Sequence, residues 1–265
     1  MMRNDLDQKA VDRVVEILAE SRSLLFITGA GISADSGLPT YRGIGGLYNA
    51  EHTEEGLPIE EILSGHMMRV RPELTWKYLG QIEQAARGAR FSRGHEVIVE
   101  MERHFPRVWT LTQNIDGFHR RAGSKNLLEI HGNLYSLRCT ACDFRRDVPS
   151  FQDLEIPPYC TACHAMLRPD VVLFGEQLPV EIVEKLYAEL DAGFDAVFTI
   201  GTTSVFPYIA WPVELAGRRG WPTVEINPGR SQVSDIVDVR LSNGAAVALD
   251  AVWRRYQQRR LDSGI

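Results

Sequence analysis

The chain has no uninterrupted apolar stretch approaching the ~18 residues that span a bilayer, and Met1-Met2-Arg3-Asn4-Asp5 carries no apolar signal region. Both absences lead to the expectation of a cytoplasmic protein with no membrane partner. Positive charge is also in deficit: 29 Lys and Arg stand against 35 Asp and Glu, a formal net charge of −6. That balance argues against a nucleic-acid surface and mildly favours encounter with lysine-rich partners. No internal repeat or low-complexity segment is present. Cysteine is scarce, with four in 265 residues, all inside one insertion. What remains is an ordinary globular composition, long enough for one sizeable core and near the length at which an extra module splits off.

A further absence concerns nucleotide binding. The apolar run Leu24-Leu25-Phe26-Ile27-Thr28 reads as a buried parallel strand. It delivers into Gly29-Ala30-Gly31-Ile32-Ser33-Ala34, where close-set glycines let the backbone approach a phosphate beside a helix N-terminus. Alone, this motif is a weak pointer to a dinucleotide. An ordinary dinucleotide fold adds an acidic residue about 20 positions on, at the end of a second strand, to hold the ribose. Here that region is Arg42-Gly43-Ile44-Gly45-Gly46-Leu47-Tyr48-Asn49, a glycine-rich loop with no strand. The pattern implies a nucleotide site of unusual construction.

Periodicity predicts a helix over 7–20, no strand over 44–92, helical patches over 59–63 and 73–86, and a helix over 94–103. Strands are expected at 108–112, 127–130, 196–200 and 223–226. Helices are expected at 179–190, at 208–218 (interrupted by Pro212) and at 245–258. The basic residues Arg254, Arg255, Arg259 and Arg260 read as a solvated helix face. The alternation implies an α/β fold: a Rossmann-like parallel sheet with a smaller domain made of a zinc ribbon and a helical insertion. The expected boundaries are 1–43, 93–136 and 168–265 for the nucleotide-binding domain, with 44–92 and 137–167 forming the small one.

The cysteines read Cys139-x-x-Cys142, then 17 residues, then Cys160-x-x-Cys163. Free thiols, a redox pair or disulfides are alternatives. Two knuckles at this spacing fit a zinc ribbon, whose four thiolates leave no open position, so the metal would be structural. His164 is expected at the surface. Gln113-Asn114-Ile115-Asp116 ends the second strand, at the edge where open α/β sheets bind ligands. His131 ends the next strand before Gly132 and is the natural general base near neutrality. His52, His66, His95, His104 and His119 are expected at the surface or in packing.

With these residues in order, the sequence resembles the sirtuin family of NAD-dependent protein lysine deacylases. The shared motifs are Gly29-Ala30-Gly31-Ile32-Ser33 with Ser36-Gly37, Gln113-Asn114-Ile115-Asp116, His131-Gly132 and both cysteine pairs. They continue through Arg168-Pro169-Asp170-Val171-Val172-Leu173-Phe174-Gly175-Glu176, Ile200-Gly201-Thr202-Thr203 and Glu225-Ile226-Asn227. The resemblance implies NAD as co-substrate and one structural Zn2+. It implies that Gly29, Ala30, Gly31 and Ser33, with Ile32 among them, hold the pyrophosphate, and that Tyr41 and Arg42 belong to the cofactor loop. Gln113 and Asn114 would contact the nicotinamide ribose, and Ile115 and Asp116 the nicotinamide amide. Gly201, Thr202, Thr203 and Asn227 would hold the adenosine ribose, which accounts for the missing acidic residue, and Ala245 would sit near the adenine. Val172, Leu173, Phe174, Gly175 and Glu176 would offer a strand edge to the substrate backbone.

The implied chemistry is attack of an acyl-lysine carbonyl oxygen on C1′ of the nicotinamide ribose. Proton removal by His131, with Asn114 and Asp116 beside it, then lets a ribose hydroxyl attack the acyl carbon. The products are lysine, nicotinamide and O-acyl-ADP-ribose. The chain departs from the family pattern at Tyr41, where phenylalanine is usual, at Gly43, where no acidic residue follows Arg42, and at Thr203, where serine is usual. Family members that remove succinyl or malonyl groups carry a Tyr-x-x-Arg pair. The matching positions here are Leu79 and Ile82, or Tyr78 and Gln81 if the register slips by one. Neither supplies arginine, so a neutral acyl chain is expected. Mono-ADP-ribosyl transfer and a non-catalytic NAD-binding zinc-ribbon adaptor are the rival readings. Targets and oligomeric state carry no signal in the sequence, and a monomer is the simplest expectation.

Overall fold

The computed structural model describes residues 6–39 and 53–263. The expectations for Tyr41, Arg42 and His52 lie outside the described residues. In chain order the elements are α1 (Gln8–Glu20), β1 (Ser23–Thr28), α2 (Ala30–Ala34), α3 (Ile59–Ile62), α4 (Gly65–Val70), α5 (Pro72–Arg87), α6 (Arg93–His104) and β2 (Arg107–Thr112). They continue with α7 (Phe118–Ala122), β3 (Leu127–Glu129), β4 (Gly132–Cys139), β5 (Arg145–Asp147), β6 (Leu167–Val171) and α8 (Val180–Ala192). The chain closes through β7 (Ala196–Ile200), α9 (Pro207–Arg219), β8 (Thr223–Ile226), β9 (Val239–Leu241) and α10 (Ala245–Ser263).

Six strands form one sheet in the order β3-β2-β1-β7-β8-β9, every pairing parallel. Side chains alternate across β1, so Leu24 and Phe26 enter one core while Leu25 and Ile27 enter the other. On the first face α1, α6 and α10 bring Val14, Leu18, Ile98 and Val252 against Phe26 and Phe198, whose rings meet at 5.0 Å. On the second face α8 and α9 bring Leu186, Leu190, Ile209 and Val213 against Leu25 and Leu111. Local signals set the helix ends. The Asp7 carboxylate accepts from the Lys9 and Ala10 N–H groups (2.9 and 3.3 Å) at the start of α1. Ser92 and His95 form a capping box at α6.

In a smaller antiparallel sheet, β5-β4-β6, Cys139 ends β4 while Cys142, Cys160 and Cys163 lie in the connections between its strands. The sheet begins at Gly132 and ends at Val171. One apolar cluster joins it to the helical insertion: Leu63, Trp76 and Leu79 pack with Leu137, Phe151, Leu167 and Leu173. One local expectation changes, and two short elements are unanticipated. Pro212 does not interrupt α9, which runs continuously from Pro207 to Arg219. Proline there removes only the bond to the Tyr208 carbonyl, and its ring is buried with Ile209 and Val213. Helix α7 and strand β9, five and three residues long, are too short to show a period. Among the described residues no helix is long and apolar enough to cross a membrane.

Candidate active site

Register builds the site. Thr28 aligns with Thr112 and with Ile200, and Ile200 with Ile226. Four strands therefore end level, and Gly29, Gln113, Gly201 and Asn227 emerge side by side along one carboxyl edge. The glycines are required there by packing. A Cβ on Gly31 would stand 2.5 Å from the Gly201 Cα, and one on Gly29 would stand 2.7 Å from the Thr202 Cβ. The Gly31 and Gly29 N–H groups donate to the carbonyls of Gly201 and Ile200 (2.8 and 3.0 Å), so both are used within the fold. Gln113 Nε2 donates to Thr202 Oγ1 (2.9 Å), and Asn227 Nδ2 to the Thr202 carbonyl (2.8 Å).

Above this edge lies a cavity of about 640 Å³, within the range of small-molecule and cofactor sites. Its walls include Gly31, Gln113, Asn114, His131, Thr202 and Asn227. Ala30, Ile115, Gly201, Thr203 and residues Val172 to Glu176 also line it. Ile32 and Ala245 do not turn their side chains to it; both sit in the core. At the Ala245 end the lining residues are Gly244 and Asp35, and Asp35 accepts from the Ala246 N–H (2.7 Å). The dimensions and the row of amides and hydroxyls fit NAD.

Asn114, Ser33 and Asp116 form a buried chain. Ser33 Oγ donates to Asp116 Oδ2 (2.7 Å), and Asn114 Nδ2 donates to the Gly29 carbonyl and to Ser33 Oγ (3.0 and 3.3 Å). The Phe118 N–H donates to Asp116 Oδ1 (2.9 Å). Burial raises the Asp116 carboxyl, while the Phe118 N–H, the Ser33 hydroxyl and nearby Arg121 oppose that rise. With Ala30 and Ile115, these three residues line an adjoining cavity.

His131 sits between β3 and β4, just before Gly132, whose φ of +77° only glycine adopts readily. A Cβ on Gly132 would stand 1.9 Å from the Asp170 carbonyl oxygen, so only glycine fits at this turn from one sheet into the other. His131 Nδ1 lies 3.0 Å from the Gln113 carbonyl and Nε2 lies 2.8 Å from Tyr208 Oη. A carbonyl can only accept, so Nδ1 carries the proton and Nε2 accepts from the Tyr208 hydroxyl. Burial lowers the imidazole pKa, opposed by the Gln113 carbonyl, so the ring is neutral near pH 7. Tyr208 and Phe206, which stack at 5.4 Å, line the same cavity. Sequence reading passed over both. The available signal was two aromatics flanking Pro207 just after the strand end at Ile200.

The expected substrate edge is partly engaged within the chain. The Phe174 N–H donates to the Leu63 carbonyl (2.9 Å), and the Phe174 carbonyl accepts from the Gly65 N–H (3.0 Å). The Leu173 N–H donates to Glu176 Oε2 (2.9 Å). Leu79 and Ile82 also line this cavity, whereas Tyr78 and Gln81 line the adjoining one, which Ile82 borders too.

All four cysteine sulfurs lie within 4.8 Å of one another, and none forms a disulfide. The Cys139–Cys163 and Cys142–Cys160 sulfurs are 3.4 and 3.7 Å apart. A tetrahedron of sulfurs around zinc at about 2.3 Å has edges of about 3.8 Å, so the cluster fits that ion. The Ala141 and Ala162 N–H groups point at Cys139 and Cys160 (3.4 and 3.3 Å), as in a knuckle holding thiolates. His95 and His119 are buried, as packing residues.

The Sir2 family model matches residues 29–207. NAD-dependent protein deacylase 2 of Pseudomonas aeruginosa is 51% identical over 235 residues, covering 88% of this chain and 91% of that one. A solved Sir2 homolog–NAD complex superposes with a TM-score of 0.85 at 32% identity, covering 94% of each chain. A Sir2 structure with deacetylated p53 peptide and 3′-O-acetyl-ADP-ribose gives a TM-score of 0.82 at 25% identity, covering 92% of this chain and 98% of that one. With a family model spanning most of the chain and a relative at this identity, the chain belongs to the Sir2 family.

Proposed function

We infer that this protein is an NAD-dependent protein lysine deacylase, moving an acyl group from lysine to ADP-ribose with release of nicotinamide. The observation that carries the reading is His131: a neutral imidazole, its tautomer set by the Gln113 carbonyl, on the wall of the cavity that Gln113, Asn114, Thr202 and Asn227 share. Bound NAD would supply an electrophilic C1′ with nicotinamide as its leaving group. Gln113, Asn114 and Asn227 offer amide groups to ribose hydroxyls, and Thr202 and Thr203 offer hydroxyls. The Asn114–Ser33–Asp116 chain presents fixed dipoles to the nicotinamide end. His131 Nε2 takes a proton from a ribose hydroxyl, and the Gln113 carbonyl steadies the resulting imidazolium through Nδ1–H.

The substrate is an acyl-lysine segment of a protein, laid along residues Val172 to Glu176. Leu79 and Ile82 in the cavity lining favour an uncharged acyl chain, since a carboxylate held against apolar side chains without a cation beside it is costly. Cys139, Cys142, Cys160 and Cys163 hold a structural zinc away from the chemistry. The division into a nucleotide-binding domain and a small domain, and a cytoplasmic location, belong to the same reading. Mass spectrometry of purified protein incubated with NAD and an acetyl-lysine peptide tests it. Free lysine and O-acetyl-ADP-ribose in equal amounts are expected; hydrolysis of NAD with the peptide unchanged would overturn it.

A further inference from the structure

Tyr208 has no role in the chemistry above, yet its hydroxyl is the group that touches the base. We propose that Tyr208 is a proton-relay residue, passing the proton of a substrate ribose hydroxyl to Nε2 of His131; the proposal rests on the deacylase reading. An imidazole nitrogen offers one in-plane lone pair, and on Nε2 it is taken by Tyr208 Oη at 2.8 Å. A hydroxyl arriving from the cavity must therefore displace the phenol or send its proton through it.

The phenol is held in place. Tyr208 lies in the first turn of α9, directly after Pro207. Its ring stacks on Phe206 with an interplanar angle of 12°, and both rings meet His131 edge-on at 5.9 and 6.0 Å. Displacing it would break that stack and leave the hydroxyl without its imidazole partner. Relay needs no such movement and balances. The substrate O–H bond breaks as a new O–H bond forms on Tyr208. The original Tyr208 O–H bond breaks as Nε2–H forms. The substrate oxygen keeps its electron pair and becomes the nucleophile. Tyrosine is neutral before and after, His131 becomes imidazolium, and Nδ1–H stays on the Gln113 carbonyl. Burial pushes the Tyr208 phenol up to about 12, so it keeps a proton to pass at working pH.

The test uses the full chain and Tyr208→Phe. In ligand-free wild type, nitrogen NMR of His131 is expected to show the Nδ1–H tautomer with Nε2 hydrogen-bonded. In the variant the Nε2 resonance moves to that of an unbonded ring nitrogen. Formation of O-acetyl-ADP-ribose slows by about 10- to 100-fold. The KM for NAD and the exchange of labelled nicotinamide into NAD stay at wild-type values, because both precede the proton transfer. A proton inventory in mixed heavy and light water gives two protons in flight for wild type and one for the variant. Full-rate product formation by the variant would overturn the proposal, as would parallel loss of NAD affinity and exchange, which marks a structural role. A one-proton inventory in wild type overturns it without any variant. Absence of O-acetyl-ADP-ribose from the wild type would instead overturn the deacylase reading, with the nitrogen resonances still testing the Tyr208–His131 contact.

Discussion

Arg168 grips Glu176 with both ends of its guanidinium, Nη1 to Oε1 at 2.6 Å and Nη2 to Oε2 at 2.9 Å. The same carboxylate accepts the Leu173 N–H, so a partly buried ion pair, with Arg168 buried and Glu176 half-buried, ties the start of β6 to the turn at Gly175. Burial by itself would raise the Glu176 carboxyl; the Arg168 contact and the Leu173 N–H outweigh it and hold the carboxyl below its ordinary range. Removing Arg168 leaves the half-buried Glu176 carboxylate without its cation, at a cost of about 1 to 2 kcal/mol. Arg168→Leu is therefore expected to lower stability by that order and to raise the KM for peptide more than that for NAD. Denaturant titration and steady-state kinetics check it; an unchanged peptide KM would detach this pair from substrate binding.

His131→Ala is expected to keep NAD affinity and lose product formation by about 10² to 10⁴, the usual contribution of a general base. Calorimetric NAD titration and product assay read the two separately. The pH dependence has a definite sign. The base works only when unprotonated, and burial lowers its pKa below the ordinary 6.5. The acid limb of kcat/KM should then lie below pH 6.5, and a limb above that value would show that His131 is not the titrating base.

Zinc should be present at one per chain and uninvolved in the reaction. Cys142→Ser opens the sulfur cluster and is expected to lose the metal and melt the β5-β4-β6 sheet with the helices packed on it. Metal analysis of the freshly purified protein decides the stoichiometry. A metal-free protein with full thermal stability would rule the assignment out.

Acid should destabilise the fold through two buried histidines. Burial pulls His119 from 6.5 to about 3 and His95 well below 6.5, the latter helped by neighbouring His119 and Arg121. Both rings are neutral in the folded protein, whereas the unfolded chain binds their protons from about pH 6.5 downward. Stability is therefore fully present above pH 6.5 and declines as pH falls toward 3, by up to about 1.4 kcal/mol per histidine per pH unit. Thermal melts across pH 7 to 4 measure it, and the slope should shrink in His119→Gln.

Acyl preference follows from Leu79 and Ile82 in the cavity lining. Acetyl- and butyryl-lysine peptides should be processed at least tenfold faster than a succinyl peptide, because Leu79 and Ile82 offer a carboxylate no partner. Ile82→Arg is expected to narrow that gap. A wild-type preference for succinyl in kcat/KM would mean that a different cation reaches the pocket.

Several features were legible locally. Apolar runs such as Leu24–Ile27 and Ala196–Ile200 announce parallel strands because burial on both faces demands unbroken hydrophobicity. Cysteine spacing marks the zinc knuckles because ligand geometry sets it within a few residues of chain. The glycines after β1 were legible as a backbone approach, but their partner was not. Gly31 needs its missing side chain because Gly201, far along the chain, packs on it. The level ending of β1, β2, β7 and β8, which gathers Gly29, Gln113, Gly201 and Asn227, is a matter of register. Register comes from long-range pairing and from the cores on both faces, and no local period encodes it. The same holds for Tyr208. In sequence it is one residue of a helix; only the packing of α9 beside the β3–β4 turn puts its hydroxyl on His131. Sequence by itself determined the elements and the residue types that could do chemistry, because propensity and spacing act within a few residues. Which of those residues meet was decided by the tertiary structure, because strand register and side-chain contacts are set only when distant segments pack.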